Sequence, residues 1–442
     1  MSQPPTLACA MPDLAAVRGF LRTACDPSVA LESLEATYVR AGAAGPARLL
    51  YEMRGRHGDV VRLAARRVDA ARGRSSEETI NARWPSPPRS TGFTRAALYA
   101  PALDLLFQVF PADDDLPSLR LAVDESAVVA VLHAVLADRR AGTQLTSVTA
   151  HVVRYKPGRK CLLRYDLAWA AGGRDLPRVV WARVSRRPKF ERTHGNLPRI
   201  HAAAAGIGFD LPEPLGVAPG VAMEFFGPVR GSALCELTDR DDYPLLCRRV
   251  GERLRRFHAL RVELDEVFDR AAQAERLAEN AAEFAWMLPA EANRIAAFER
   301  EINARLHTTD PPGSRAPLGL IHRDFHGGNI LVADGRYALV DFEDCAMGEA
   351  ADDVGSHWAQ LWWHGHRTPG RSTRLAAARR AFLDGYLETA DPSTVSRLPT
   401  YAAMHCFLRA HQCLRHPQDG ARHNDALAML VACEHALDGD LA

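Results

Sequence analysis

The segment Leu320-Ile-His-Arg-Asp-Phe-His-Gly-Gly-Asn-Ile-Leu-Val332 constrains this chain more tightly than any other. An apolar start leads into His322 and Asp324, and Asn329 follows five residues after the aspartate. A second apolar run, Tyr337-Ala-Leu-Val340, then delivers Asp341-Phe-Glu343. Short apolar runs bounded by turn residues read as buried strands, so the pattern is strand, loop, strand, with polar groups gathered at the strand ends. A loop and an adjacent strand end of this kind project Asp324, Asn329 and Asp341 into one cleft. Oxygen donors of these types suit magnesium, which takes few protein ligands and fills its shell with water and phosphate oxygens.

Phosphoryl transfer asks for this set. It needs a carboxylate to orient the attacking hydroxyl and oxygen ligands that hold the metal against the phosphates. Asp324 fits the first role, and Asn329 with Asp341 the second. The spacing HRDxxxxN is that of a kinase catalytic loop, but Asp341-Phe-Glu stands where DFG would, and no APE follows. With Gly348-Glu349 and Asp353 further on, the segment resembles the aminoglycoside phosphotransferase and choline kinase superfamily, over about residues 145 to 360.

That resemblance implies an α+β, bilobal protein-kinase-like fold, with a β-rich N-lobe and a helical C-lobe, and ATP with Mg2+ as cofactors. His151–Tyr155 and Cys161–Leu167 flank the turn Lys156-Pro-Gly-Arg-Lys160, a β-hairpin pattern. By the resemblance this turn covers the triphosphate, which makes Lys156, Arg159 and Lys160 candidate phosphate contacts. The third strand, Val179-Val-Trp-Ala-Arg-Val184, carries Arg183 where the family has a phosphate-gripping lysine. Arginine keeps the charge, though as a planar fork rather than a point charge. Alternation puts Trp181 and Arg183 on one face of that strand, opposite Val180, Ala182 and Val184. Glu191 is a candidate to orient the Arg183 cation. Met223, Glu224 and Phe225 stand where the family's hinge meets the adenine.

The rest of the chain divides by texture. Residues 1–140 form an N-terminal α+β cap region without a catalytic motif, 141–227 the kinase-like N-lobe, and 228–442 the helical C-lobe with the substrate site. In the cap region, Ala36-Thr-Tyr-Val-Arg40 with Leu49-Leu-Tyr51 echoes Ala150–Arg154 with Leu163-Arg-Tyr165, and Val60-Val61 echoes Val179-Val180, so a repeat of the hairpin unit is one reading and chance matching of strand-type residues the other. Trp84-Pro-Ser-Pro-Pro-Arg-Ser-Thr-Gly92 reads as a linker or exposed loop. Helical periodicity dominates after 228, as in Cys247–Leu260 and Ala271–Leu306. His258 fits a packing role. Trp358, Trp362 and Trp363 read as core or as an aromatic wall, and His405, Arg409, His411 and Arg415 as substrate contacts or a solvated basic face.

Composition excludes other classes. Hydrophobic residues are 47% and charged residues 25% of the chain, as in soluble globular proteins. A net charge of +1 gives no support to a nucleic-acid partner. Nine scattered cysteines without zinc or disulfide spacing read as reduced thiols, and no signal peptide or membrane span is visible, so a cytoplasmic protein is expected. Lysine occurs only at 156, 160 and 189, the remaining cations being arginine. From His357 to Leu430 nine arginines face five acids, which suits a neutral or anionic hydroxylated acceptor better than a polycation. The expected activity is ATP-dependent phosphorylation of a small-molecule hydroxyl. The alternative is a non-catalytic nucleotide- or metabolite-binding protein on a degenerate kinase scaffold.

Overall fold

A computed structural model describes residues 12–26, 31–40, 48–55, 60–84, 87, 91–140, 142–170, 176–308, 318–416 and 419–441. Among these, the chain is α+β. A first antiparallel sheet contains β1 (Leu31–Arg40), β2 (Arg48–Gly55), β3 (Val60–Arg67), β4 (Ala97–Ala100) and β5 (Leu105–Val109), in the order β1-β2-β3-β5-β4. A second contains β6 (Leu145–Lys156), β7 (Lys160–Trp169), β8 (Val179–Ser185), β10 (Pro214–Ala218) and β11 (Met223–Phe226), in the order β6-β7-β8-β11-β10. Between β8 and β10 in sequence, β9 (Phe209–Asp210) joins a separate small sheet.

The two five-stranded sheets share their strand order, and their registers correspond. Ala36 lies opposite Tyr51 as Ala150 lies opposite Tyr165. On the third strand, Leu63 faces Tyr51 as Val180 faces Tyr165, so the sequence echo at Val60-Val61 falls two residues out of step. The last hairpin of each sheet turns through a short 3-10 segment, Pro101–Leu103 or Pro219–Val221, that ends on a positive-φ residue, Asp104 or Ala222.

Alternation explains the second sheet's core. Tyr165, Val180, Ala182 and Val184 are buried together with Val128 and Leu132 of the helix Glu125–Val135, which packs on β6 and β10. That core also takes in Leu50 and Ala64 of the first sheet and Leu116 to Leu136, so helices before residue 140 cover this sheet. The stretch 84–92 is the one expected as a linker or exposed loop. Most of it lies outside the described residues, but Trp84 and Thr91 at its ends are buried, within the region of the first sheet.

After residue 227 helices dominate. The helix Tyr243–His258 starts with Pro244 in its first turn, where the missing N–H costs nothing. It buries Leu246, Cys247, Val250, Leu254 and Phe257, a helical spacing. The expected long helix at 271–306 is two, Arg270–Met287 and Ala292–Leu306, separated at Leu288-Pro289 because proline cannot donate to the ladder. Among them lie β12 (Ser232–Ala233), β13 (Val267–Phe268), β14 (Gly319–Ile321), β15 (Ile330–Ala333), β16 (Arg336–Leu339) and β17 (Ala346–Gly348), in two small sheets. No helix among the described residues is long and apolar enough to cross a membrane. Eight cysteines are described, all unpaired.

Gly251 lets the helix Tyr243–His258 cross Ser372–Leu387 at close range. A Cβ at Gly251 would fall 2.2 Å from the carbonyl oxygen of Phe382 and 2.9 Å from the amide nitrogen of Tyr386. Gly251→Ala is therefore expected to destabilise the chain by about 1–3 kcal/mol, the usual cost of overpacking. Chemical denaturation reads this directly, and an unchanged midpoint would show that the crossing relaxes freely.

Candidate active site

The loop between β14 and β15 carries His322 and Asp324, and a single carboxylate shapes it. Asp353, fully buried in the helix Ala351–Arg367, accepts the backbone N–H of His322 at 2.6 Å and of Arg323 at 2.7 Å. Its Oδ2 also lies 3.0 Å from Nε2 of His258, whose Nδ1 is 2.8 Å from the Tyr386 hydroxyl. Arg323 has a φ of +65°, a conformation that disfavours side chains, and the two hydrogen bonds hold it there. His258 thus packs, as expected, but its work is to orient Asp353. His322 reaches the carbonyl of Val340 at 3.0 Å, tying this loop to the strand end that delivers Asp341.

Asp324, Asn329 and Asp341 come together as the spacing predicts. Asn329 donates its side-chain N–H to the Asp324 carbonyl at 2.9 Å and to Asp324 Oδ2 at 3.3 Å. The backbone N–H of Val340 donates to the Asn329 carbonyl at 3.0 Å, which places Asp341 next to it. Burial alone would raise the Asp324 carboxyl. The hydrogen bond and charge of His326, with His322 and Lys160, outweigh that and hold it far below the usual carboxylate range.

Opposite this floor stands a buried ion cluster. Glu224 of β11 lies directly across from Arg183 of β8 and accepts from its Nη2 at 2.7 Å and its Nε at 3.0 Å. Arg183 Nη1 donates to Asp341 Oδ1 at 2.9 Å, and Glu343 Oε2 is 3.3 Å from Arg183 Nε. Lys160 Nζ donates to Asp341 Oδ2 at 3.2 Å and also contacts Glu343. Burial opposes both cations, but the surrounding carboxylates reverse its effect and raise the affinity of Arg183 and Lys160 for their protons. Asp341 is likewise held below its ordinary range: burial raises it, and Lys160 and Arg183 more than compensate.

Beside these groups lies a cavity of about 670 Å³. Trp181, Arg183, Lys160, Glu224, Asn329 and Asp341 are on its wall, so the face reading of β8 holds. Phe225 lines it too, whereas Met223 is fully buried in the sheet core. Lys156 and Arg159 do not line it. Lys156 instead lies within the field of Asp324, and burial together with Arg154, Lys160 and Arg159 takes its amine down to about 8. Arg159 is exposed.

Two sequence expectations need correction. Glu191 does not orient Arg183; it is exposed and only 3.9 Å from Arg187, one turn away on its own helix. Glu224 and Glu343 do so instead. The signal was present: Arg183 and Glu224 are lone opposite charges in two apolar strands that pair. The late basic residues are no solvated face. His405 binds the buried Asp352 at 2.9 Å, and His411 and Arg415 converge on Glu283 at 3.3 and 2.8 Å. Trp358 is core, while Trp362 and Trp363 are half-buried.

A curated glucosamine kinase of Streptacidiphilus jiangxiensis is 37% identical over 150 residues, covering 29% of this chain and 30% of that protein. The chain thus aligns with about a third of that relative. Among solved structures, a glucosamine kinase covers 98% of both chains at 20% identity and a TM-score of 0.45. A choline/ethanolamine kinase family protein from Mesorhizobium loti covers 62% of this chain and 85% of its own at 17% identity and 0.42. Residues 165–398, more than half of the sequence, match the family model described as the phosphotransferase enzyme family (APH), and the chain belongs to that family.

Proposed function

We propose that this protein is a kinase that transfers the γ-phosphoryl group of ATP, with Mg2+, to a hydroxyl of a small molecule. The observation that carries this reading is the meeting of Asp324, Asn329 and Asp341 beside a cavity that Arg183 and Lys160 enter from the facing sheet. The chain is read as three units, 1–140, 141–227 and 228–442: a cap that repeats the hairpin unit, an N-lobe and a helical C-lobe, in a bilobal protein-kinase-like arrangement. The shared strand order of the two sheets supports the repeat.

In this reading the acceptor oxygen attacks the γ-phosphorus, the bond to the bridging oxygen breaks to release ADP, and the hydroxyl proton leaves late, by way of the Asp324 carboxylate to solvent. Asp324 accepts the hydrogen bond of the hydroxyl. Its low proton affinity fits an orienting role in a loose transition state, where little proton transfer precedes bond breaking. Asn329 spends its N–H on Asp324, leaving its side-chain oxygen, with the Asp341 carboxylate, as donors for magnesium. Magnesium supplies charge neutralisation on the phosphates. Among the described residues no cluster of three or more acids, histidines or cysteines forms a protein-only cation cage, which fits a metal that binds together with its nucleotide. Arg183 and Lys160 meet the phosphates, and Phe225 with Trp181 bounds the base.

The acceptor is read as neutral or anionic rather than polycationic. Lys156, Arg276 and Arg409 all lie within the field of Asp324, so a multiply charged cation would meet repulsion there. Several other arginines counted from the sequence are engaged elsewhere: Arg367 binds Asp419, Arg371 Asp239 and Arg374 Asp241. The glucosamine kinase relatives make sugars and amino sugars the first acceptors to assay. Of the two motives for the non-catalytic alternative, arginine in place of lysine and the want of a partner glutamate, the second is met by Glu224 and Glu343 beside Arg183. The expected setting is the cytoplasm, without nucleic-acid or membrane partners.

ATP consumption across sugars, amino sugars, amino alcohols and aminoglycosides identifies the acceptor; no turnover on any, with ATP bound, would favour the non-catalytic reading. On the best acceptor, Asp324→Asn should lower kcat by about 10²–10⁴-fold while ATP binding persists. A variant keeping half of the wild-type rate removes Asp324 from the mechanism.

Asp341→Ala is expected to abolish the tightening of ATP binding by magnesium. Calorimetry with and without the metal tests it, and the same magnesium effect in both proteins would show that Asp341 is no ligand.

Arg183→Ala should weaken ATP binding and also lower stability by roughly 3–5 kcal/mol, because it leaves Glu224 buried without its cation and Glu343 with Lys160 alone. Urea unfolding beside ATP titration reads both, and tight ATP binding by a folded Arg183→Ala would assign the phosphate cation to the hairpin turn alone.

A further inference from the structure

The turn from Lys156 to Lys160 is held from outside its own sheet. Asp113 follows β5 of the first sheet and is 2% exposed. Its Oδ2 accepts from the Tyr155 hydroxyl and from the backbone N–H of Gly158, each at 2.7 Å. Its Oδ1 accepts the backbone N–H of Asp115 at 3.0 Å. Asp115 in turn binds Arg48 of β2 at 2.7 Å, and Arg186, just after β8, is 3.4 Å from it.

Arg48 closes the same turn from the side. A Cβ at Gly158 would fall 1.8 Å from its Nη1. Gly158 has a φ of +64°, a conformation that glycine adopts without steric cost. The tip of the turn is therefore pinned between a buried carboxylate and a guanidinium, both supplied by residues before 116. Asp113 itself does not line the cavity. Lys160, two residues beyond Gly158, is the residue that reaches Asp341.

We propose that Asp113 is a positioning residue for the phosphate end of the nucleotide. By fixing the Gly158 N–H and the Tyr155 hydroxyl it sets the height of the turn, so that Lys160 is already ordered when ATP arrives. A cation held in its bound position loses less freedom on binding, which raises affinity without adding a contact. The first sheet then contributes to nucleotide binding although none of its residues touches the cavity. This inference rests on the ATP reading of the cavity.

Calorimetry of the full-length chain with Mg-ATP and, separately, with adenosine tests it. Asp113→Ala is expected to weaken Mg-ATP about tenfold, of the order of losing charge-assisted hydrogen bonds, while adenosine affinity stays within about twofold. KM for ATP should rise in step, and KM for the acceptor should not. Equal weakening of both ligands would show general distortion and overturn the proposal, as would unchanged Mg-ATP affinity. If the wild type binds Mg-ATP no better than adenosine, the ATP reading itself fails. Should Asp113→Ala not fold, Arg48→Ala, at a half-exposed position, carries the same test. A loss of about threefold for Mg-ATP alone supports the clamp, and no loss rejects it.

Discussion

A guanidinium buried among carboxylates organises the centre of this protein. Arg183 sits in an apolar strand, where an unpaired charge would cost several kcal/mol. Its partners come from two separate parts of the chain: Glu224 from the next strand of the same sheet, and Asp341 with Glu343 from the turn after β16. Satisfying Arg183 therefore fixes the distance between the sheet and the small strands below it. The cavity opens beside these ion pairs.

The loop beneath depends on a second buried acid. Asp353 does for backbone N–H groups what the acids above do for Arg183: it gathers the amides of His322 and Arg323 and is itself held by His258. Three segments far apart in sequence thereby share one carboxylate. The strained backbone at Arg323 and the positive φ of 69° at Asp341 are both tolerated inside this frame, and each turns its neighbours toward the cavity.

Legibility from sequence followed the range of the interactions. The HRDxxxxN spacing is local, and it located Asp324, Asn329 and Asp341 because their geometry follows from one loop and one hairpin. Strand alternation placed Trp181 and Arg183 on the cavity side for the same reason. Glu224 was read as part of a hinge because its partnership with Arg183 depends on which strands pair, and pairing is not written in either strand alone. The basic residues of the last helices read as substrate contacts or a solvated face in one dimension, yet Glu283 and Asp352, contributed by other helices, pair with His405, His411 and Arg415. Asp113 gave no signal at all, since its target is a backbone N–H 45 residues away.

The two sheets of identical strand order carry a consequence for how the chain reaches its native state. Neighbouring copies of one topology can trade strands while they form, a familiar failure of repeated units. Here β3 has Arg66 opposite Leu106 at the place where β8 has Arg183 opposite Glu224. Were β8 to pair into the first sheet, Arg183 would face leucine and lose its nearest acid. Were β3 to enter the second sheet, the apolar positions of Val180 and Val184 would be filled by Leu63 and Arg67, burying a new charge. The divergence of these few residues thus acts as an address label, steering each strand to its own sheet.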